Sequence, residues 1–227
     1  LRMKVRENTV FTGKYFVFGM DSKFVNEKIL ELKENPNIER MGIHFHRKSQ
    51  NVSEWSLKDE MQDAIYEETL KKIDILDIGG GIPSRYKSSH DRSIERVFSK
   101  IKELREWLPE TIQLLTEPGR FIAAPSTKLQ CSIIAVHDQN IFVNLFMYSC
   151  ALDTTIANVK LLVEDELDEG KQYTIKGCTP CSMDILRYKV ILNNPQVGDK
   201  ITFLNAGAYT YSTDFCHLDK INNIIVD

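Results

Sequence analysis

The sequence predicts an α/β region over residues 1–124 followed by an all-β region over residues 125–227. Three observations carry this. Continuous apolar runs alternate with amphipathic helical patterns up to about Pro125, which argues for a parallel sheet covered by helices. Residues with chemical potential stand at the ends of successive strand runs, the face on which a (β/α) barrel gathers its sites. Beyond Pro125, short strand-like runs follow one another with turn signals between them.

The elements follow in order. Residues 38–46 read as a strand. Residues 56–72 read as a helix, with Ser56 and Asp59 as a capping box and Leu57, Met61, Ala64 and Ile65 on one face. Residues 73–78 form an apolar strand that runs into Gly79-Gly80-Gly81. The next helix, over 93–108, carries Ile94, Val97, Phe98, Ile101, Leu104 and Leu108 on one stripe. Residues 111–116 are a strand ending at Glu117. In the second region, strands are expected over 129–136, 141–146, 156–163, 172–175, 188–192 and 200–204. Asp138-Gln139-Asn140 and Asn193-Asn194-Pro195 supply turns there.

Composition narrows the function classes. Net charge is −3 with basic residues spread along the chain, so no nucleic-acid surface is expected. No apolar run approaches the roughly 20 residues of a membrane span, and no signal-peptide pattern is read at the start. Five cysteines without a regular framework fit a reducing, cytoplasmic setting. Cys178-x-x-Cys181 has no second pair at zinc spacing. His44 and His46 point the same way on a strand and could hold a metal, but the other strand ends add no further histidine or aspartate. His44 is therefore expected as a core histidine, and no metal site is assigned.

Two short signatures point to an anionic cofactor. Three adjacent glycines remove every Cβ that would keep backbone N–H groups from a phosphate. Glu117-Pro118-Gly119-Arg120 then places an acid and an arginine at a strand end. Opposite charges there suit the two ends of a polar cofactor.

With these residues in hand, the chain resembles the fold-type III pyridoxal-phosphate-dependent decarboxylases, the ornithine, arginine and diaminopimelate decarboxylase group. The likeness runs in order through Asp21-Ser22-Lys23-Phe24, residues 44–50, Gly79-Gly80-Gly81, Glu117-Pro118-Gly119-Arg120, residues 177–184 and Gly207-Ala208-Tyr209-Thr210. The resemblance implies the C-terminal part of an alanine-racemase-like (β/α)8 barrel, followed by a β-sandwich or β-barrel domain that contributes segments 177–184 and 207–210 to the site. It implies pyridoxal 5'-phosphate as cofactor. Glu117 would face the ring nitrogen and His46 would stack on the ring. Ser49, Gly79, Gly80, Gly81, Gly119, Arg120 and Tyr209 would hold the phosphate. Lys48 stands where the family has a glycine, and a lysine there could also meet the phosphate.

The run Gly177-Cys178-Thr179-Pro180-Cys181-Ser182-Met183-Asp184 resembles the family segment whose cysteine helps place a proton on the α-carbon. Aligned without gaps, it puts Pro180 at the cysteine position and Cys181 at that of an acid. Cys181 is the candidate catalytic thiol, with Cys178 the alternative, and Asp184 is assigned beside the substrate in an orienting role. Asp153 and Asp214 are candidates for reading a distal amine.

The family's cofactor-tethering lysine lies in a motif resembling Tyr-Ala-x-Lys, and nothing in the sequence matches it. The expectation is the C-terminal portion of an amino-acid decarboxylase acting on a basic or diamino acid in polyamine metabolism. Its lysine would lie on a separate or cleaved N-terminal segment, and its active sites would be shared across a homodimer. Two alternatives stand beside this. One is a catalytically inactive homologue that binds a partner protein as a regulator; the other is a metal-dependent barrel hydrolase built on His44 and His46.

Overall fold

Two units make up the chain: Leu1–Pro83 with His90–Gly119, and Ser84–Ser89 with Arg120–Asp227. The computed structural model describes residues 1–5, 18–89, 92–209, 217–218 and 220–226. Thr210 and Asp214 lie outside the described residues.

In the first unit, β1 (Gly42–His44), β2 (Ile75–Asp77) and β3 (Gln113–Leu115) pair in parallel in that order. Their register sets His44 opposite Asp77 and Asp77 opposite Leu115. Ile43 and Leu76, at the strand centres, are buried. The strands are shorter than their apolar runs, but the ladder continues past them: Phe45 N–H donates to Asp77 C=O at 3.0 Å and Ile78 N–H to Leu115 C=O at 3.0 Å. The outer side of β1 is paired too. Met3 N–H donates to His44 C=O at 2.7 Å, and His44 N–H donates to Leu1 C=O at 2.8 Å. These bonds occupy backbone groups that a free edge would leave unpaired.

The helices of this unit are α1 (Ser22–Leu32), α2 (Leu57–Ala64), α3 (Glu67–Leu70) and α4 (Arg92–Trp107). Asp21 caps α1 by accepting from Phe24 N–H at 2.9 Å. On α4, Val97 and Leu104 are buried as the stripe requires, whereas Phe98 turns outward. The helix expected over 56–72 is broken in two. Ile65 and Tyr66 are extended, and Ser56 makes no side-chain cap. The cause is Asn26 on α1, which is fully buried. Its amide donates to Ser22 C=O at 2.7 Å and to Ala64 C=O at 2.8 Å, and it accepts from Tyr66 N–H at 2.9 Å. A buried amide must find partners, and these lie at the break.

The second unit is built on one six-stranded sheet, ordered β6-β9-β4-β5-β7-β8. Its strands are β4 (Leu129–His137), β5 (Asn140–Val143), β6 (Leu162–Val163), β7 (Gln172–Lys176), β8 (Ile185–Ile191) and β9 (Lys200–Leu204). All neighbours are antiparallel except β5 and β7. From Leu129 to Ser132 β4 pairs with β9; from Ile133 on it pairs with β5, with a register shift between Ile133 and Ala135. Ile133, Ile141, Val143, Ile175, Val190 and Phe203 form the centre of the core. Short helices α5 (Gly119–Ala123), α6 (Met147–Cys150) and α7 (Asp153–Ile156), with a 3-10 turn at Ala124–Ser126, complete the described pattern. The strand expected over 156–163 is reduced to β6, because α7 takes up Ile156. Among the described residues no helix is long and apolar enough to cross a membrane.

Candidate active site

Register arithmetic places the first cluster. His44, Asp77 and Leu115 are level in the parallel sheet. Two residues further along each chain come His46, Gly79 and Glu117, on the same side because side chains alternate with a period of two. Glu117 N–H donates to Gly79 C=O at 2.8 Å, which fixes that level. Glu117 Oε2 then lies 2.9 Å from His46 Nδ1 and 3.3 Å from His44 Nε2. The hydrogen bond from His46 holds the Glu117 carboxyl below the usual carboxylate range; burial works against this, and His44 adds to the lowering. Its other oxygen, Oε1, has no hydrogen-bond partner among the described residues, and the side chain is half exposed.

The glycines are required for this approach. Gly79 has φ +64° and Gly81 φ +97°, conformations that L side chains rarely adopt. A Cβ on Gly80 would come within 2.9 Å of His46 Nε2 and 2.8 Å of Glu117 C=O. Their N–H groups are partly engaged already: Gly79 donates to Asp77 Oδ1 at 2.9 Å, and Gly80 lies 3.3 Å from His46 Nδ1. Gly119 faces open space where a Cβ would stand. Ser49 is half-buried in the turn that follows the β1 segment, beside exposed Lys48.

In the second unit, Arg120 is buried and paired. Its Nη1 and Nη2 donate to Asp153 at 2.5 and 3.1 Å, and Nη1 also donates to Tyr86 Oη at 2.9 Å. The guanidinium lies 4.9 Å from the ring centre of half-exposed Tyr209, a cation–π contact. Burial opposes the charge of Arg120, and the bonds to Asp153 and Tyr86 more than offset it, so the group stays cationic.

Segment 177–184 is held from within. Asp184 is buried, accepting from Met147 N–H at 2.7 Å, Thr179 N–H at 3.1 Å and Thr179 Oγ1 at 2.6 Å. Its carboxylate is engaged by this unit's own backbone and hydroxyl. A Cβ on Gly177 would collide with that carboxylate, which explains the glycine. Cys181 is exposed, with Sγ 3.0 Å from Tyr148 Oη. That hydrogen bond, with the Met183 N–H, pulls the thiol below its ordinary value, while the tyrosine is pushed up to about 12. Burial raises the Cys178 thiol.

The structure therefore brings together His46, Gly79, Gly80 and Glu117. It separately brings together Arg120 and Tyr209, and Cys181 and Asp184 share one loop. His44 corrects the expectation of a core histidine: its side chain is 28% exposed and meets Glu117. Asp153, Tyr86 and Tyr148 were not foreseen as the partners of Arg120 and Cys181. Of the contacts that the sequence reading missed, only that of His44 with Glu117 had a signal in advance, the two-residue spacing of His44 and His46.

Comparison with known proteins gives this geometry its context. Residues 5–124 match the family described as "Pyridoxal-dependent decarboxylase, pyridoxal binding domain". The chain belongs to this family. It is 28% identical over 238 residues to an ornithine decarboxylase of Caenorhabditis elegans, covering 92% of this chain and 56% of that protein. It is 26% identical over 212 residues to antizyme inhibitor 2 of Xenopus laevis, covering 81% of this chain and 46% of that protein. Its fold superposes on lysine/ornithine decarboxylase complexed with putrescine from Vibrio vulnificus with a TM-score of 0.74 at 25% identity, covering 92% of this chain and 60% of the other. The chain thus spans about half the length of the curated relatives it matches.

Pyridoxal phosphate is the cofactor of this family. The ring-end residues fit it: an ionised carboxylate with one oxygen unengaged stands beside a half-exposed imidazole, over glycines that admit no side chain. On the phosphate side the fit is partial, because the charge of Arg120 is already balanced by Asp153.

Proposed function

We propose that this chain is the C-terminal portion of a pyridoxal-phosphate-dependent decarboxylase that converts a basic or diamino acid to its amine and CO₂. The observation that carries the reading is the level placement of His46, Gly79 and Glu117, with Glu117 ionised and one oxygen unengaged. In this reading residues 1–124 are the closing part of an alanine-racemase-like barrel, and residues 125–227 are its β domain. A cytoplasmic homodimer with shared active sites completes it.

When bound, pyridoxal phosphate supplies the electron sink that accepts the charge left as CO₂ departs. Glu117 would hold the ring-nitrogen end and keep a proton there. His46 would hold the ring face, with the glycines leaving room for it. Ser49, Gly81, Gly119, Arg120 and Tyr209 are assigned to the phosphate, and Cys181 to the proton returned to the α-carbon. Asp184 orients the loop that presents Cys181. The tethering lysine is assigned to another segment.

Borohydride reduction of the natively purified protein with pyridoxal phosphate, followed by peptide mass mapping of every chain present, tests this. The expected result is a reduced adduct on a lysine outside residues 1–227.

A second reading, a catalytically inactive homologue that binds a partner protein, is favoured by one observation. Arg120 has its charge spent on Asp153 within the second unit. No adduct on any chain would support it.

A further inference from the structure

Cys178 and Cys181 stand three residues apart on one exposed loop, and both thiols are free. We propose that they form a redox-active dithiol, a reversible modification site. It exchanges with a small-molecule disulfide of the glutathione class and closes into a Cys178–Cys181 disulfide.

The loop gives the two cysteines a common anchor. Asp184 C=O accepts from Gly177 N–H at 2.9 Å, and Asp184 N–H donates to Cys181 C=O at 3.0 Å. The Asp184 carboxylate accepts from Thr179 N–H and Thr179 Oγ1. The residues on both sides of Cys178, and Cys181 itself, are thus bonded to one buried residue. Cys178 N–H is tied to Leu145 C=O at 2.9 Å. Between the thiols the chain bends, at residues 178–180. Four-residue turns hold their end Cα atoms within about 7 Å, and disulfides span about 4.4–6.8 Å between Cα atoms. The charge of Asp184 acts on both thiols, which places both beside the same carboxylate.

The two sulfurs are prepared for different steps. Cys181 Sγ lies 3.0 Å from Tyr148 Oη, and that bond, with the Met183 N–H, favours its thiolate, the nucleophile of exchange. Cys178 is raised by burial and by the charge of Asp184, so it follows rather than leads. The Cys181 thiolate attacks one sulfur of the small disulfide; that S–S bond breaks, and one thiolate leaves and takes a proton from water. Cys178 then gives its proton to solvent, its sulfur attacks Cys181 Sγ, and the second small thiol is expelled. Two protein thiols are oxidised to one disulfide, and one small disulfide is reduced to two thiols. In a reducing compartment such a pair rests as the dithiol and oxidises transiently. The dithiol stands apart from the decarboxylase reading; where both hold, oxidation withdraws the thiol assigned to the α-carbon.

Natively purified protein, with pyridoxal phosphate present, is equilibrated at varied ratios of reduced to oxidised glutathione. It is then quenched in acid, denatured, alkylated and mapped by mass spectrometry. The tryptic peptide Gly177–Arg187 contains both cysteines. It is expected to lose two hydrogens as the buffer becomes oxidising and to regain them on reduction, while buried Cys131 and Cys150 stay reduced. Cys178→Ser is expected to stop at a glutathione adduct on Cys181. Cys181→Ser is expected to form an adduct on Cys178 at least about tenfold more slowly. Circular dichroism checks that each variant folds; if one does not, the unsubstituted protein decides alone. A peptide that stays reduced at every ratio, carries only glutathione adducts, or is linked to another cysteine overturns the proposal. Adducts forming equally fast in the two variants overturn the assigned order of attack. The borohydride experiment reads a lysine adduct, so its failure and a failure here are distinguishable.

Discussion

Arg120 and Asp153, 33 residues apart in sequence, form a two-point ion pair at 2.5 and 3.1 Å in the interior of the second unit. Only 2% and 9% of the two side chains remain exposed. A guanidinium of the family's signature run is thereby held by a carboxylate of this chain, with Tyr86 as a third partner.

Breaking that pair on one side leaves a buried charge uncompensated. Asp153→Leu is expected to cost about 3–5 kcal/mol in urea unfolding. The double replacement Arg120→Met with Asp153→Leu removes both charges and is expected to recover most of the loss. A double variant as unstable as Asp153→Leu alone would contradict this account.

Asp184 satisfies two backbone N–H groups and one hydroxyl in a buried loop. Asp184→Ala strands those donors and is expected to cost about 1–3 kcal/mol or more. Gly177→Ala forces a Cβ against the same carboxylate and should lower the thermal midpoint as well. Thermal melts of the two variants check both expectations.

The exposed Cys181 thiol accepts help from Tyr148 in becoming a thiolate. Alkylation of Cys181 by iodoacetamide should titrate below an ordinary thiol's range, because the thiolate is the nucleophile. Tyr148→Phe should move that profile upward and slow the reaction at neutral pH. Mass spectrometry of each cysteine peptide reads the outcome, with Cys131 and Cys150, both raised to about 12 by burial, as slow internal references.

Asp74 ties the start of β2 to the first unit. It accepts from Lys33 Nζ at 2.8 Å and from Met41 N–H at 2.7 Å, and these bonds hold its carboxyl below the usual range. A depressed folded-state value stabilises above the unfolded pKa, about 3.9 for aspartate, and the stability is lost as pH falls through the folded value. Asp74→Asn should therefore flatten the acid limb of a stability-versus-pH curve. At pH 7 its cost is expected to be about 1 kcal/mol, reduced by partial exposure of the pair.

Local pattern was legible where packing asked only for periodicity. The 3.6-residue stripe placed Val97, Leu104 and Leu108 inside, and Lys200–Leu204 is a strand over the residues its alternation marked. The helix over 56–72 failed for a non-local reason. Asn26 supplies the partners for the broken turn from another helix, and no window around Ile65 contains that information. In the same way α7 takes up Ile156 at the head of an expected strand, with its first residue, Asp153, serving Arg120.

The sequence by itself determined the family, the order of its signature residues and the alternation of strand and helix, because each is written in neighbouring residues. The tertiary structure alone decided which side chains share a charge. Parallel register brought Glu117 level with His46 and within reach of His44, across 71 and 73 residues of chain. Burial obliged Arg120 to find Asp153. Such pairings follow from desolvation and from strand register, both properties of the folded chain that adjacent residues do not encode.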